Sequence, residues 1–264
     1  MLIFSLLENI YIERKNKIKI MKYIREFENH AAYEAAESGL ILPNVSLCVQ
    51  EDEVHYNPYV DPYNGHEYVE IGGLKWATMN VGATVVSDYG LYFQWGDTQG
   101  YTAEQVGSGE GKKYFGWSDY KYNSGGTNPS ASDMTKYNST DTLTTLSAAD
   151  DAVAVAWGGN WRMPTKAEFN ELLNNTNRQW TTVNGISGYT FTDKTDASKY
   201  VFFPAAGNYC DGSMNNVGKF GTYWLSSLSA SDAMRSSALD IRNGYCFINP
   251  YTRQCGSSVR GVAS

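Results

Sequence analysis

The side chains best suited to contact a ligand lie near the C-terminus, in the stretch from Gly221 to Ser264. Short runs typical of strands follow a Gly-x-Tyr-Trp motif there, and Asn243-Gly244 and Asn249-Pro250 break them. Successive side chains of a strand point to opposite faces. One predicted face is apolar and comprises Leu239, Ile241, Cys246 and Ile248. The other mixes charged, aromatic and amide groups, which favours ligand contact over simple solvation: Asp240, Arg242, Tyr245, Phe247 and Asn249.

The residues that catalysis would need are poorly placed. His30, His55 and His66 all lie in the first quarter of the chain, which excludes a His-dependent triad or a His-ligated metal in the C-terminal part. Asp150 and Asp151 are adjacent, so their side chains diverge on a helix. We interpret them as partners of the positive end of the helix dipole. We therefore predict no catalytic residue, no metal and no cofactor.

The four cysteines are Cys48, Cys210, Cys246 and Cys255, and no two have the C-x-x-C spacing of a zinc site. Cys246 and Cys255 could bridge two neighbouring strands. Because no secretory signal is evident, free thiols are the expected state.

Composition and charge exclude two classes of partner. The net charge of −7 argues against a nucleic-acid surface, which needs a basic patch. A mean hydropathy of −0.42 argues against insertion into a membrane. The 20 tyrosines, with only 19% charged residues, suit either an adhesive surface or a tyrosine-rich β core.

The N-terminal quarter is predicted to be separate from the main domain. Residues 1–20 lack the charge order and cleavage site of a secretory signal. They form either an amphipathic helix or the translation of a region upstream of a start at Met21, which we favour. Residues 21–58 are too few to bury a core, so we expect them to mediate attachment or homo-oligomerisation, for example as a trimer. A connector at 59–65 leads into the main domain at 66–264.

The main domain is expected to be α+β, with mainly antiparallel short strands, two helices and long loops. Gly72-Gly73 and Asn184-Gly185 predict hairpins. Ser147 is the predicted N-cap of a helix that ends at Trp157, and Thr165 with Glu168 forms the capping box of a second helix. Residues 97–147 have no long periodic run. We interpret them as an insertion that packs through Tyr114, Phe115, Trp117, Tyr120 and Tyr122.

Five motifs occur in the order found in a known family: LKWATMNVGA (74–83), YGLYFQWGD (89–97), WGGNWRMPTKAEFNELL (157–173), VFFPAAG (201–207) and GTYWLSS…SSVRGV (221–262). Residues 66–264 thereby resemble the C-type-lectin-like domains of Bacteroides proteins, often called the Fibrobacter succinogenes major paralogous type. The resemblance implies a C-type-lectin-like fold. A shorter segment, HAAYEAAESGLILPNVSLC (30–48) followed by EVHYNP (53–58), is similar to N-terminal segments of structural and tail-fibre-type proteins of phages that infect gut Bacteroides.

A subset of that family consists of variable proteins of diversity-generating retroelements, including phage tropism determinants. In them, a C-terminal region that starts near Gly-x-Tyr-Trp is diversified and forms the ligand-binding face, and serines usually follow Tyr-Trp. The resemblance therefore implies a variable region at 221–262. Combined with the strand alternation, it predicts these ligand-binding residues: Leu225, Leu228, Met234, Arg235, Asp240, Arg242, Tyr245, Phe247, Asn249, Tyr251 and Gln254. Trp224 is expected in the core, and Arg260 is expected to pair with a carboxylate or with backbone carbonyls.

The expected function is receptor binding or adhesion without enzymatic activity, on a virion tail or fibre or on a bacterial cell surface. The expected partner is a cell-surface protein or glycan. One alternative is a relative of formylglycine-generating enzymes, because the Arg-x-Pro-Thr-x-Ala-Glu-Phe segment resembles a helix of that family. Those enzymes need a closely spaced reactive cysteine pair, for which Cys246 and Cys255 are the only candidates here. Another is a structural component without diversification. Calcium-dependent sugar binding is not expected, because the Glu-Pro-Asn, Gln-Pro-Asp and Trp-Asn-Asp tripeptides are absent and Asp232, Asp240 and Asn243 are scattered.

Overall fold

The computed structural model describes residues 63–264. The predictions for residues 1–20 and 21–58, and for the first part of the connector at 59–65, lie outside the described residues.

The described residues form a mixed α+β structure of two α-helices and mostly short antiparallel strands, as predicted. Two strands open it, β1 (Tyr68–Ile71) and β2 (Leu74–Asn80), and the helices α1 (Ala152–Trp157) and α2 (Lys166–Asn175) follow. The remaining strands are β3 (Thr176–Val183), β4 (Ile186–Asp193), β5 (Tyr200–Pro204), β6 (Asn208–Cys210), β7 (Ser213–Asn215), β8 (Phe220–Leu228), β9 (Arg235–Arg242), β10 (Tyr245–Thr252) and β11 (Arg260–Ala263).

The strands make four small sheets, with the orders β1-β2-β11, β10-β9-β8, β3-β4-β5 and β6-β7. The last strand pairs with β2, so the C-terminal end of the domain closes against its beginning. Arg260 at the start of β11 is buried, and it donates hydrogen bonds to the backbone oxygens of Ala77 and Phe202 and to Asn80 Oδ1, each at 2.8–2.9 Å. The predicted structural role of Arg260 is confirmed.

The two predicted hairpin turns, at Gly72-Gly73 and Asn184-Gly185, are confirmed, as is the predicted strand break at Asn243-Gly244, whereas the predicted break at Asn249-Pro250 is wrong. Gly72-Gly73 joins β1 to β2, Asn184-Gly185 joins β3 to β4, and Asn243-Gly244 joins β9 to β10. In contrast, β10 continues through Asn249-Pro250 and pairs with β9 along its whole length. Proline is tolerated because β10 is an edge strand of its sheet. A residue whose N–H position faces away from the neighbouring strand needs no backbone donor there.

The capping box of α2 is confirmed, whereas the predicted cap of α1 is wrong. Thr165 Oγ1 accepts from the Glu168 N–H, and Glu168 Oε2 accepts from the Thr165 N–H. The α1 helix is capped by Asp151, whose Oδ1 accepts from the N–H groups of Val153 and Ala154. Ser147 precedes a short 3-10 turn instead, and its hydroxyl donates to Asp150.

The insertion at 97–147 carries short 3-10 turns and packs largely as predicted. Phe115 and Tyr120 are buried, together with Met134 and Tyr137. Tyr114 is 41% exposed, so its predicted packing role is wrong.

Asp150 anchors the insertion because it accepts hydrogen bonds from the side chains of Lys121, Tyr122, Lys136 and Tyr137. Burial opposes ionisation of Asp150, but these donors outweigh it and hold the pKa of its carboxyl below the usual range.

Two large hydrophobic clusters cover opposite sides of the sheet β8–β9–β10. The first surrounds Trp95, Trp161 and Trp224, and the second surrounds Trp76, Phe169 and Phe203. The predicted core position of Trp224 is confirmed: it is 1% exposed, and its Nε1 donates to the Phe93 carbonyl.

Candidate ligand-binding face

The register of β8, β9 and β10 places the predicted polar-aromatic residues on one face. Asp240 lies opposite both Thr222 on β8 and Phe247 on β10. Arg242 lies opposite Phe220 and Tyr245. Cross-strand partners share a face of the sheet. The other face is buried in the second cluster through Tyr223, Leu225, Leu239, Ile241 and Cys246.

Only one end of the polar-aromatic face is open to solvent. At the closed end, Trp224 and Ala238 are buried in the first cluster and Tyr251 packs against it, with the rings of Trp224 and Tyr251 6.2 Å apart. At the open end, Arg242 is exposed and Phe247 is 55% exposed. We call this open end, with Asp240, Arg242, Tyr245, Phe247 and Asn249, the open face.

A polar network forms the floor of the open face. Asn249 Nδ2 donates to Asp240 Oδ2 at 2.9 Å and to Tyr245 Oη at 2.8 Å. Thr222 Oγ1 donates to Asp240 Oδ1 at 3.5 Å, a long and therefore weak hydrogen bond. Burial raises the pKa of the Asp240 carboxyl above its usual range, although Asn249, Thr222 and the charge of Arg242 act in the opposite direction.

An aromatic and cationic stack forms the rim. The Arg242 guanidinium lies 4.4 Å from the centre of the Tyr245 ring, a cation–π geometry. The rings of Tyr245 and Phe247 are 4.8 Å apart and tilted by 60°. Because Phe247 is the outermost member, it presents a ring to solvent on a backbone held by the full β9–β10 ladder.

Tyr251 belongs to the closed end. It is half-buried, and its hydroxyl accepts a hydrogen bond from Asn208 Nδ2 at 2.8 Å. Burial raises the pKa of the Tyr251 phenol. Its ring packs against the core and leaves only part of its surface for a ligand.

Two predicted ligand residues are buried, and this part of the prediction is wrong. Leu225 is 1% exposed and lies on the opposite face, in the second cluster, because it alternates with Trp224 along β8. Gln254 is 6% exposed and lies in the turn after β10, where its backbone oxygen accepts from Gln94 Nε2 at 2.9 Å. Neither side chain can reach a ligand while the fold is intact.

Three further predicted residues lie away from the open face. Leu228 packs against the first cluster at the end of β8, Met234 is half-buried before β9, and Arg235 is exposed and pairs with Asp232 at 3.3 Å. Arg235 and Arg242 are the two ends of β9, roughly 23 Å apart at about 3.3 Å per residue. These three residues therefore do not join the polar network.

Two residues of the site were missed by sequence reasoning. Thr222 could have been found, because it alternates with Trp224 inside the Gly-x-Tyr-Trp motif and so shares its face. Asn208 could not, because its partner Tyr251 lies 43 positions away in the sequence.

The cysteine predictions are partly wrong. Cys210 and Cys255 form a disulfide, while Cys246 is free and buried. Backbone pairing brings the bridged residues together, because Tyr209 and Gly256 exchange two hydrogen bonds of 2.8 and 2.7 Å. Burial raises the pKa of the Cys246 thiol to about 11 against the smaller opposing effect of Arg178, so this thiol is a poor nucleophile.

The outer edge of β10 is partly blocked. Arg178 Nη1 donates to the Cys246 carbonyl at 3.3 Å, and Pro250 has no N–H to offer. Charged side chains and proline at a sheet edge oppose pairing with another strand. The side chains of the open face, more than the backbone edge, are therefore the available contact groups.

The described part of the chain offers few other sites. One cavity lies beside His66, Asn80 and Trp157 and another beside Gly73, Trp76 and Glu171, and neither of these is lined by open-face residues. No group of three or more His, Cys, Asp or Glu residues within 63–264 is placed to hold a metal ion. Among the same residues, no helix has the length and apolar character needed to cross a membrane.

Comparisons with protein-family models, with curated proteins and with solved structures found no match to this chain.

Proposed function

We propose that this protein binds a receptor through the open face, displayed on a C-type-lectin-like scaffold, and that it acts at the surface of a phage virion or a bacterial cell. The observation that carries the proposal is a stack of the exposed Arg242 and Phe247 with the half-buried Tyr245, on a sheet whose opposite face packs into the second cluster. Tyrosine and arginine are frequent energetic anchors of protein interfaces.

The contrast between fixed and exposed side chains supports a diversified surface. Leu239 and Ile241 are 0% exposed and hold β9 in place from below. Arg242 and Phe247 project from the same hairpin without packing against the core clusters. Exchanging such exposed residues changes the contact surface at little cost in stability. This arrangement suits the diversification that the sequence resemblance implies for residues 221–262.

A protein partner fits the open face better than a free sugar does. Small ligands bind in concave sites that enclose most of their surface. The open face, in contrast, is the surface of a three-stranded sheet. An extended surface with aromatic and arginine anchors matches a protein interface.

The test uses fluorescently labelled protein and a panel of gut Bacteroides strains, which the sequence resemblance suggests as hosts. We expect Phe247→Ala and Arg242→Ala to lose cell binding. Tyr200→Ala, which removes an aromatic ring of similar exposure from β5, should bind as the wild type does. Treatment of the cells with protease should abolish binding, and treatment with glycosidases should not. Equal binding by Phe247→Ala and the wild type on every strain bound would contradict the proposal.

Diversification has a separate test at the level of the gene. We expect a neighbouring reverse transcriptase and a template repeat that matches the codons for residues 221–262 except at adenines. If the gene has neither neighbour, the proposal of diversification fails, whereas the proposal of receptor binding still stands.

The enzymatic alternative gains no support from the cysteines. Its reactive pair would be Cys246 and Cys255, but Cys255 is bonded to Cys210 and Cys246 is buried with a raised thiol pKa.

A further inference from the structure

Asp240 is an unusual residue for the floor of an exposed face. It is 8% exposed, yet no lysine or arginine of residues 63–264 forms an ion pair with it. Its two hydrogen bonds come from neutral donors, Asn249 and Thr222, and the second is at the distance limit. An ionised carboxylate can accept about four hydrogen bonds. Burying an ionised carboxylate with only neutral donors is costly, so a cation supplied by a partner would stabilise Asp240.

The cation of the described residues whose charge acts on Asp240 is Arg242, and its guanidinium is used in another contact. Arg242 is two residues along β9 and on the same face, but its guanidinium lies over the Tyr245 ring. Asn249 and Tyr245 are tied to each other by a hydrogen bond, which holds the ring in place for this stack. The Asp240 carboxylate is thus left with capacity for a charge from outside.

We propose that Asp240 is the anchor for a basic side chain, arginine or lysine, of the partner protein. This inference rests on the proposed function and names the chemistry that the open face recognises. The cation enters beside Phe247, which lies directly opposite Asp240 and has the most exposed ring of the open face. There it meets a partly desolvated carboxylate and the rings of Tyr245 and Phe247, and both favour a cation.

The charge state of Asp240 makes this binding depend on pH. The ionisable or charged groups that face it are Arg242 on the same strand and Tyr245 and Tyr251 on β10. The neighbours from β8 and β6 are Thr222 and Asn208, which do not titrate. Because burial raises the pKa of Asp240, cation binding should fail at a higher pH than it would at an exposed aspartate.

The test titrates the full-length protein with N-acetyl-arginine methylamide and follows its backbone amide resonances. N-acetyl-citrulline methylamide is the neutral control, because it has nearly the same shape without the charge. We expect the arginine probe to shift the amides of Asp240, Phe247 and Asn249, with an apparent affinity at least about tenfold higher than that of the citrulline probe. Asp240→Asn should remove this difference. Asp232→Asn, at the other end of the sheet, should keep it.

A second measurement keeps the inference testable if Asp240→Asn does not fold. The affinity of the wild type for the arginine probe, measured from about pH 7 to about pH 4, should fall as Asp240 is protonated. An affinity that is independent of pH, or equal shifts from both probes, overturns the inference. Loss of cell binding by Phe247→Ala would still support receptor binding in that case, so the two proposals can fail separately.

Discussion

The two ends of one sheet face carry similar residue types and have different roles. At the closed end, Trp224 and Tyr251 lie against the first hydrophobic cluster. At the open end, Tyr245 and Phe247 stack on each other and face solvent. Strand alternation alone cannot separate them, because all four side chains point the same way. What separates them is the chain folded over the closed end, including Phe93, Trp95 and Tyr137. An aromatic residue on a strand face is therefore a contact candidate only where no distant segment covers it.

The largest expected effect comes from truncating the closed end. Trp224→Ala removes a ring that is 1% exposed, together with the hydrogen bond from its Nε1 to the Phe93 carbonyl. We expect a loss of about 3–5 kcal/mol in the free energy of unfolding, measured by urea denaturation. A loss below about 1 kcal/mol would show that the closed end is not core, and the comparison would fail.

The disulfide is the next largest contributor, and it also lies at the closed end. Cys210 and Cys255 are 45 residues apart and enclose β7, β8, β9 and β10. The double variant Cys210→Ser, Cys255→Ser should lose about 2–4 kcal/mol, because the unfolded chain gains freedom. Since the bridge belongs to the first cluster while Phe247 and Arg242 lie at the open end, cell binding at a temperature well below the melting point should persist. Cys246→Ser, which leaves the bridge intact, is the matched control.

Local rules explain which parts of this face were predictable. The two-residue turn Asn243-Gly244 fixes the register of β9 and β10, so the alternation of Asp240, Arg242, Tyr245 and Phe247 follows from the sequence. The capping box of α2 was predictable for the same reason, since its partners are three residues apart. The prediction for Leu225 relied on its departure from the serines that usually follow Tyr-Trp. Its alternation with Trp224 along β8 instead places its side chain on the opposite face, in the second cluster.

Long-range contacts account for the rest. The pairing of Cys210 with Cys255 depends on backbone pairing between Tyr209 and Gly256, which no local sequence pattern predicts. Gln254 lies in a buried turn whose backbone oxygen accepts a hydrogen bond from Gln94, 160 residues away. Asp240 forms no ion pair with Arg242, because the Arg242 guanidinium stacks on the Tyr245 ring instead. Each of these is a competition between partners that only the folded structure resolves.

The smallest expected effect on stability is at the open end, where the effect on function should be greatest. Phe247 is 55% exposed and contacts mainly the Tyr245 ring, so Phe247→Ala should change the free energy of unfolding by less than about 0.5 kcal/mol. Tyr251→Ala is the paired variant from the same strand and face, and it should cost clearly more, because it removes a half-buried ring and the hydrogen bond from Asn208. Urea denaturation of both variants, alongside cell binding, measures the contrast directly. If Phe247→Ala were as destabilising as Tyr251→Ala, the ring of Phe247 would be structural, and its exposure could no longer be taken as evidence for a binding surface.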